Sequence, residues 1–503
     1  MNEQEHDTLV RNLLTLLNAS RSDLIQTHIS SIIIAGEVVY KLKKPVDFGF
    51  LDYSTLQRRK HFCEEEVRIN GRYAPQLYLK VVPVTGSIDA PRIGGEGDAI
   101  EYAVKMRRFE QADQLDEVAM RGALSDDLCD AIADTAAGMH AGAQPAEPES
   151  DFGTPGRVLV PMMENFDLMA SLHSDAALAE AVSEVRAWTL AEHARLQPLL
   201  QRRKENGFIR ECHGDMHLHN MALFDGRPML FDAIEFNPYL SHIDIISDLA
   251  FLLMDLEYRG LVPQSRRILN RYLETTGDYE AVALLAFYKT YRAMVRAKVL
   301  ALHAAQQIPD EERSGVIEAV KDYVALAQSY QERAAPFLAI THGFSGSGKS
   351  TFALMAVERF GAIRLRSDIE RMRLFRQEGH ETDIYTPEAT EATYGRLVEL
   401  AEKVIGGGYA VVADATFLKQ AQRERFEHLA AQLGVRFVIL DIACDDAQLR
   451  RRIRRRLEKQ SDVSEADEAV LQLQKKTCEP LTPHEQHYRV VLKCRDDSLP
   501  EEF

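Results

Sequence analysis

The sequence predicts an α+β unit followed by an α/β unit with a parallel sheet, and three observations carry this. From Asp23 to about Phe109, short β-branched runs alternate with turn residues around one helix. From Gln114 to about Glu332, apolar residues recur at helical spacing. After Pro336, strands alternate with helices, the pattern of a parallel sheet flanked by helices. Ala334-Ala335-Pro336 closes a long helix and marks a boundary near 335. The expected domains are 1–335, divided into a small part at about 20–109 and a helical part at about 110–335, and 336–503.

In the small part, ISSIII and VVYKLKK flank Ala35-Gly36-Glu37, which reads as a hairpin. Ser54 stands as the N-cap of a helix running to about Tyr73, stopped by Ala74-Pro75. LYLKVVPV and EYAVKMRRF supply two more strands. Helical periodicity then covers 125–142, 164–172, 176–203, 263–275, 279–306 and 309–332, with strands returning only around the segment HGDMHLHN at 213–220. In the last third the order is an apolar strand, a glycine-rich loop, a helix, AIRLR, a helical stretch, AVVADA, another helix, VRFVILDIA and an Arg-rich helix.

Composition narrows the classes. With 503 residues, the chain has the length of roughly three compact bodies at ~150 residues each. No apolar stretch approaches the ~20 residues that span a bilayer, and MNEQEHDTLVRNLL lacks the basic start and apolar core of a signal peptide. A cytoplasmic protein with no membrane partner is expected. A net charge of −17 disfavours nucleic acid and anionic membrane surfaces as diffuse partners but permits a local basic pocket. The six cysteines contain no CxxC pair, consistent with plain thiols.

The first chemical constellation is HGDMHLHN, followed by MALF, a turn at Asp225-Gly226-Arg227-Pro228, and MLFDAIEF. Phosphoryl transfer needs an acid to orient or deprotonate the attacking hydroxyl and oxygen ligands for magnesium. Asp215, Asn220 and Asp232 fill those roles at a suitable spacing. HxxxHxH could instead gather His213, His217 and His219 around zinc, a reading that leaves Asn220 and Asp232 unexplained.

HGDxxxxN with a downstream Asp after an apolar strand resembles the aminoglycoside phosphotransferase and choline kinase family, over about residues 20–330. The resemblance implies a two-lobed protein-kinase-like fold, Asp215 as catalytic base, and Asn220 and Asp232 as magnesium ligands. It further implies a structural role for Asp248 and a small-lobe lysine set against the ATP phosphates, paired with a glutamate from the helix bearing CEEEV. Alternation puts Lys41 and Lys43 on one strand face, so either serves. Glu65 is the expected partner among Glu64, Glu65 and Glu66, and AVKMRRF is the expected connector between lobes. The small lobe departs from the protein-kinase pattern, because its hairpin offers only Gly36 where GxGxxG would cover the phosphates.

The second constellation is GFSGSGKS at 343–350, which follows Phe337–Ile340 and opens a helix, the context of a phosphate-binding loop. The backbone of Gly343, Phe344, Ser345, Gly346, Ser347 and Gly348 can cradle phosphate oxygens, with Lys349, Ser350 and Thr351 beginning the helix. Lys349 supplies a charge and Ser350 a hydroxyl for magnesium. Asp368 stands at a strand end with Arg371 three residues on, an acid to orient an acceptor hydroxyl and a guanidinium to clamp an anionic group. Asp414 ends AVVADAT, where an acid would hold magnesium. In LRRRIRRRLEKQ, Arg452 and Arg456 share a helical face and could close over transferring phosphates.

Together GFSGSGKS, SDIER, the DAT strand end and the Arg-rich helix before SEADEAV resemble small P-loop kinases related to polynucleotide kinase, over about 336–495. That resemblance implies Asp368 as acceptor-orienting base, Arg371 as substrate clamp, and Lys349 with lid arginines on the phosphates. The expectation is a phosphotransferase with two ATP and Mg2+ sites acting on hydroxyls of small molecules. The alternatives are a first half that only senses nucleotide or metabolite, and a second half that phosphorylates 5′-hydroxyl nucleic-acid ends.

Overall fold

The structure, a computed structural model, describes residues 1–49, 51–172, 175–306, 308–332, 334–375, 384, 386–459, 467–493 and 499–500, with the side chains of 172 and 456–459 excepted. Two compact units result. The first comprises Met1–Asp255 and Tyr291–Tyr323, the second Leu256–Thr290 and Val324–Phe503. Contacts thus group 256–290 with the later residues, whereas Pro336 had suggested a single boundary near 335; helices sort by the faces they bury, which local punctuation does not reveal.

The first unit opens with helix α1 (Glu3–Leu16), capped by Asn2, whose side chain accepts from Glu5 N while Glu5 bonds back to the Asn2 N–H. Six antiparallel strands follow around one helix: β1 (Leu24–Gln26), β2 (Ser30–Ala35), β3 (Val38–Lys43), α2 (Leu56–Tyr73), β4 (Tyr78–Gly86), β5 (Pro91–Ile93) and β6 (Ala99–Arg107). Their sheet order is β1-β2-β3-β6-β4-β5. The hairpin falls where expected, with Ala35 opposite Val38 and Gly36 at φ +60°. The N-cap of α2 is Thr55, whose side chain accepts from Arg58 N; Ser54, the expected cap, instead donates to Asp52.

Helix α1 ends at a Leu17 C-cap, with no glycine or proline to mark its stop in the sequence. It buries Leu9, Val10, Leu13 and Leu14 in a cluster with Ile33, Leu42 and Val84, each such side chain contributing about 1.5–3 kcal/mol on burial. The same face buries His6, whose Nε2 lies 3.0 Å from Ser31 Oγ. Burial lowers the His6 imidazole from 6.5 to about 4. The folded state therefore favours the neutral ring, and this contribution is present above pH 6.5 and lost as pH falls towards 4, by about 3 kcal/mol in full. Thermal melts between those pH values are expected to fall more steeply for the wild type than for His6→Gln.

The rest of the first unit is mainly helical: α3 (Leu115–Met120), α4 (Asp126–Gly142), α5 (Pro155–Leu172) and α6 (Ala176–Glu205). Short strands β7 (Ile209–Glu211), β8 (Met221–Phe224) and β9 (Arg227–Leu230) bracket the HGD loop, with β8 and β9 forming a hairpin. Next come α7 (Pro238–Ser241), β10 (His242–Asp244) and α8 (Ile245–Tyr258), then α9 (Val262–Thr276), α10 (Val282–Ala304) and α11 (Asp310–Ser329).

The later chain runs β11 (Phe337–His342), α12 (Lys349–Phe360), β12 (Ile363–Arg366), α13 (Ser367–Phe375), α14 (Pro387–Gly406), β13 (Val411–Asp414), α15 (Gln420–Leu433), β14 (Arg436–Ala443), α16 (Asp446–Lys459), α17 (Glu468–Thr477) and β15 (Arg489–Lys493). The five strands are all parallel in the order β12-β13-β11-β14-β15. Central strands read as apolar runs because both faces are covered. Ala339, Val412, Val438 and Leu440 pack with Phe352, Ala353 and Ala356 of α12 on one side. The fold class is thus the expected mixed α/β one, with an antiparallel sheet and helices in the first part and a parallel sheet flanked by helices in the last. Among the described residues no helix is long and apolar enough to cross a membrane.

Candidate active sites

In the first unit the HGD loop hangs from a buried carboxylate. Asp248, on α8, accepts from the backbone N–H groups of His213 and Gly214, both at 2.9 Å, and lies 3.3 Å from His140 Nε2. Gly214 sits at φ +82°, and a Cβ there would lie 2.7 Å from the Leu240 carbonyl, so only glycine fits. Leu218 N–H donates to Asp255 at 3.1 Å. Two carboxylates therefore fix the loop backbone at both ends.

That frame presents Asp215 beside Asn220, whose amide donates to the Asp215 carbonyl (3.0 Å) and carboxylate (2.8 Å). His217 Nε2 lies 3.2 Å from the same carboxylate. Burial by itself would raise the Asp215 carboxyl, but His217, His213 and Arg296 outweigh it and hold the group well below the usual range. Asp215 thus stays ionised and can accept from a hydroxyl.

The three histidines do not converge on one metal. His213 faces the Phe231 carbonyl at 2.8 Å through Nε2, and its Nδ1 accepts from Asp215 N, while burial lowers its pKa and keeps the ring neutral. His219 is exposed and bonded to Asp116 at 2.8 Å.

Asp232 follows β9 in the left-handed region at φ +63°, a conformation that costs a non-glycine residue about 1 kcal/mol or more. Three bonds hold the strand exit there: Phe231 N–H to the Asn220 carbonyl (3.0 Å), Asp232 N–H to Tyr78 Oη (3.0 Å), and Ala233 N–H to Asn70 Oδ1 (2.9 Å). The Asp232 carboxylate pairs with Lys41. Strands β3 and β4, helix α2 and the HGD loop all contribute to this one corner.

The small-lobe ion pair needs one correction. Glu66, not Glu65, receives the lysines: Lys41 Nζ at 2.8 Å on one oxygen and Lys43 Nζ at 2.7 Å on the other. Helix phase explains it, since Cys63, Glu66 and Asn70 share the buried stripe of α2 while Glu65, one step of about 100° away, faces Arg68. Lys43 also pairs with Glu235, to which Tyr53 donates at 2.5 Å. Burial would raise Glu66, but Lys41 and Lys43 lower it to about 2. Glu66→Gln weakens two buried charge-assisted hydrogen bonds while Lys41 keeps Asp232 and Lys43 keeps Glu235, so a loss of about 2–3 kcal/mol is expected in chemical denaturation, against about 0.5 kcal/mol for Glu65→Gln.

In the second unit, β11 feeds the loop at 343–348 directly into α12. Gly346 and Gly348 adopt φ +82° and +101°; added Cβ atoms would meet the Leu449 carbonyl at 3.0 Å and Arg452 Nη1 at 2.9 Å. The loop is thus shaped as a cradle only glycine backbone can form. Lys349 Nζ donates to the Phe344 carbonyl at 2.9 Å, and Arg452 of α16 donates to the Ser347 carbonyl at 3.0 Å. Arg452 therefore reaches the loop as expected, whereas the Arg456 side chain lies outside the described residues. Sequence reading missed Gln474 of α17, which accepts from Ser345 N–H and donates to Ser345 Oγ, both at 2.9 Å. Nothing local to Gln474 signals that contact.

A cleft of about 550 Å³ gathers Lys349, Ser350, Asp368, Arg371, Asp414 and Arg452, with Arg366 and Gln474 on its walls. Asp414 ends β13, which lies directly between β11 and β12, so strand order alone brings it beside the loop. Asp368 in the first turn of α13 and Arg371 at the start of its second face the same space.

Residues 56–285 match the model of the phosphotransferase enzyme family, and residues 338–481 match that of an AAA domain. Two different family models thus match successive, non-overlapping stretches of the chain. The uncharacterized protein Rv2004c of Mycobacterium tuberculosis strain H37Rv is 29% identical over 418 residues, 81% of either chain. Among solved structures, a choline/ethanolamine kinase family protein from Mesorhizobium loti is 11% identical and covers 64% of this chain and 99% of its own, with TM-score 0.37. A gluconokinase from Sinorhizobium meliloti 1021 is 19% identical and covers 33% of this chain and 86% of its own, with TM-score 0.25. The first matched stretch contains Asp215, Asn220 and Asp232, and the second contains the whole of the second cleft.

Proposed function

We propose that each kinase-like part binds Mg-ATP and transfers its γ-phosphoryl to a hydroxyl of a small molecule. The observation that carries this is the shared cleft of the second unit: a glycine cradle, a lysine, a strand-end acid and an Asp/Arg pair open on one space. The cradle suits phosphate oxygens, since Gly343, Gly346 and Gly348 all take positive φ and leave their backbone free of side chains. Ser350 and Asp414 would hold magnesium there, and Asn220 and Asp232 in the first unit, all hard oxygen donors suited to that cation. When bound, the nucleotide supplies the phosphoryl group and the metal compensates its charge.

The chain's own residues do the rest. In the first unit Asp215 accepts from the acceptor hydroxyl and takes its proton as the new O–P bond forms, with Asn220 fixing the carboxylate. Lys41 faces Asp232 and would steady the phosphates of the donor. In the second unit Asp368 has the corresponding role towards the acceptor, Lys349 and Arg452 take charge that develops on the transferring group, and Arg371 grips an anionic part of the acceptor. Small acceptors fit an acidic protein better than nucleic acid does.

The test is a metabolite screen with labelled ATP on wild type, Asp215→Asn and Lys349→Ala. Two labelled products, each lost in a different variant, support the reading. A product profile unchanged in Asp215→Asn rejects catalysis by the first unit. Labelling of 5′-hydroxyl oligonucleotides at low salt would instead assign the second unit to nucleic-acid ends.

A further inference from the structure

Helix α9 lies in the stretch matched to the phosphotransferase family, yet it is built into the second unit. Strand β12 is an edge of the parallel sheet, and an open edge leaves backbone groups unpaired. Asn270 of α9 closes that edge: its Oδ1 accepts from Arg364 N–H at 2.7 Å, and its Nδ2 faces the Ala362 carbonyl at 3.3 Å. Arg266, one turn earlier, donates to the Glu358 and Arg359 carbonyls at 2.9 and 2.8 Å, at the C-terminal end of α12, where a cation meets the negative pole of the helix.

One turn beyond Asn270 stands Glu274, 3% exposed. Its Oε1 takes Arg364 Nε and Nη2 at 2.8 and 2.7 Å. Arg364 in turn reaches the Ser350 carbonyl at 3.3 Å, in the first turn after the phosphate loop. The other oxygen, Oε2, is buried, has no hydrogen-bond partner among the described residues, and lies 3.8 Å from Arg366 Nη1. Arg366 lines the cleft next to Asp368 and Arg371. A buried carboxylate set between two guanidiniums, one of which faces a cleft, fixes where that guanidinium stands.

We propose that Glu274 is a positioning residue of the second cleft, its buried carboxylate holding Arg366 on the acceptor side, where Arg366 and Arg371 together take an anionic group of the acceptor. This rests on reading the cleft as the P-loop transfer site. It deepens that reading in two ways: the acceptor is a hydroxy compound bearing a carboxylate or phosphate, and the site depends on a helix that precedes the P-loop segment.

The test uses the full chain saturated with Mg-AMP-PNP, so that the phosphate loop is filled, and follows inorganic sulfate binding by calorimetry. In Glu274→Gln, sulfate affinity is expected to fall about tenfold, the scale of one charge-assisted contact, while AMP-PNP affinity stays within about twofold. Arg366→Gln should cost a similar factor, and the double variant should bind sulfate no more weakly than Arg366→Gln alone. Glu274→Asp, which keeps the charge, should retain part of the affinity.

Equal sulfate affinity in Glu274→Gln and wild type overturns the proposal, as does sulfate binding in wild type that Arg366→Gln leaves unchanged. A parallel loss of AMP-PNP and sulfate, or losses that multiply in the double variant, reduces Glu274 to a purely structural residue and overturns it too. Failure of the cleft reading shows separately, as an AMP-PNP stoichiometry unaffected by Lys349→Ala.

Discussion

Replacing Lys349 with alanine is expected to lower ATP-dependent transfer by the second unit about 10²–10³-fold, with the product of the first unit unaffected. The magnitude follows from position. Lys349 opens α12 immediately after a cradle whose glycines admit no side chain, so its ammonium is the charge aimed where phosphate oxygens would lie. It donates to the loop carbonyl of Phe344 at 2.9 Å, and a partly exposed contact of this kind contributes about 1 kcal/mol or less. Catalysis should therefore fail while the thermal transition stays nearly in place. Steady-state rates on the acceptor found in the labelled-ATP screen, with a melt on the same sample, check both halves of that expectation. A variant that retains wild-type rates would remove the loop from the chemistry.

Replacing Asp215 with asparagine is expected to cost the first unit roughly 10²–10⁴-fold in turnover, with the second unit unaffected. Asparagine keeps the shape and an oxygen for the Asn220 amide but removes the charge that accepts the hydroxyl proton. The surrounding histidines and Arg296 hold Asp215 well below the ordinary carboxylate range. Acidification through the usual carboxylate range should therefore leave its ionisation, and this contribution to the rate, intact. The folded state favours its charged form, so its contribution to stability is present above the unfolded carboxylate pKa of about 3.9 and is lost as pH falls through its lower folded value. A pH–rate profile of the first product checks this. An acid-side limb with an apparent pKa near 7 that persists in Asp215→Asn would mean that another group is the base.

What the sequence disclosed depended on how local each signal was. The phosphate loop occupies contiguous positions between one strand and one helix, so Gly343 to Thr351 and their neighbours could be placed from spacing alone. The same holds for Asp215, Asn220 and Asp232, which a loop and a two-stranded hairpin bring together within twenty residues. Asp248 was legible as a structural acid and serves as one, through the backbone of His213 and Gly214. The choice between Glu65 and Glu66 was not legible, because three consecutive glutamates satisfy any helical pattern and only the buried stripe of α2 selects the third. Gln474 and Glu274 were invisible for a different reason. Each acts on the second cleft from a helix far away in the chain, through a contact that no periodicity encodes.

Calorimetric titration of the full chain with Mg-AMP-PNP tests the central claim most directly. The account predicts about two equivalents bound by wild type, one of them lost in Lys349→Ala and the other weakened in Lys41→Ala. A single equivalent, abolished entirely by Lys349→Ala and indifferent to Lys41→Ala, would contradict it.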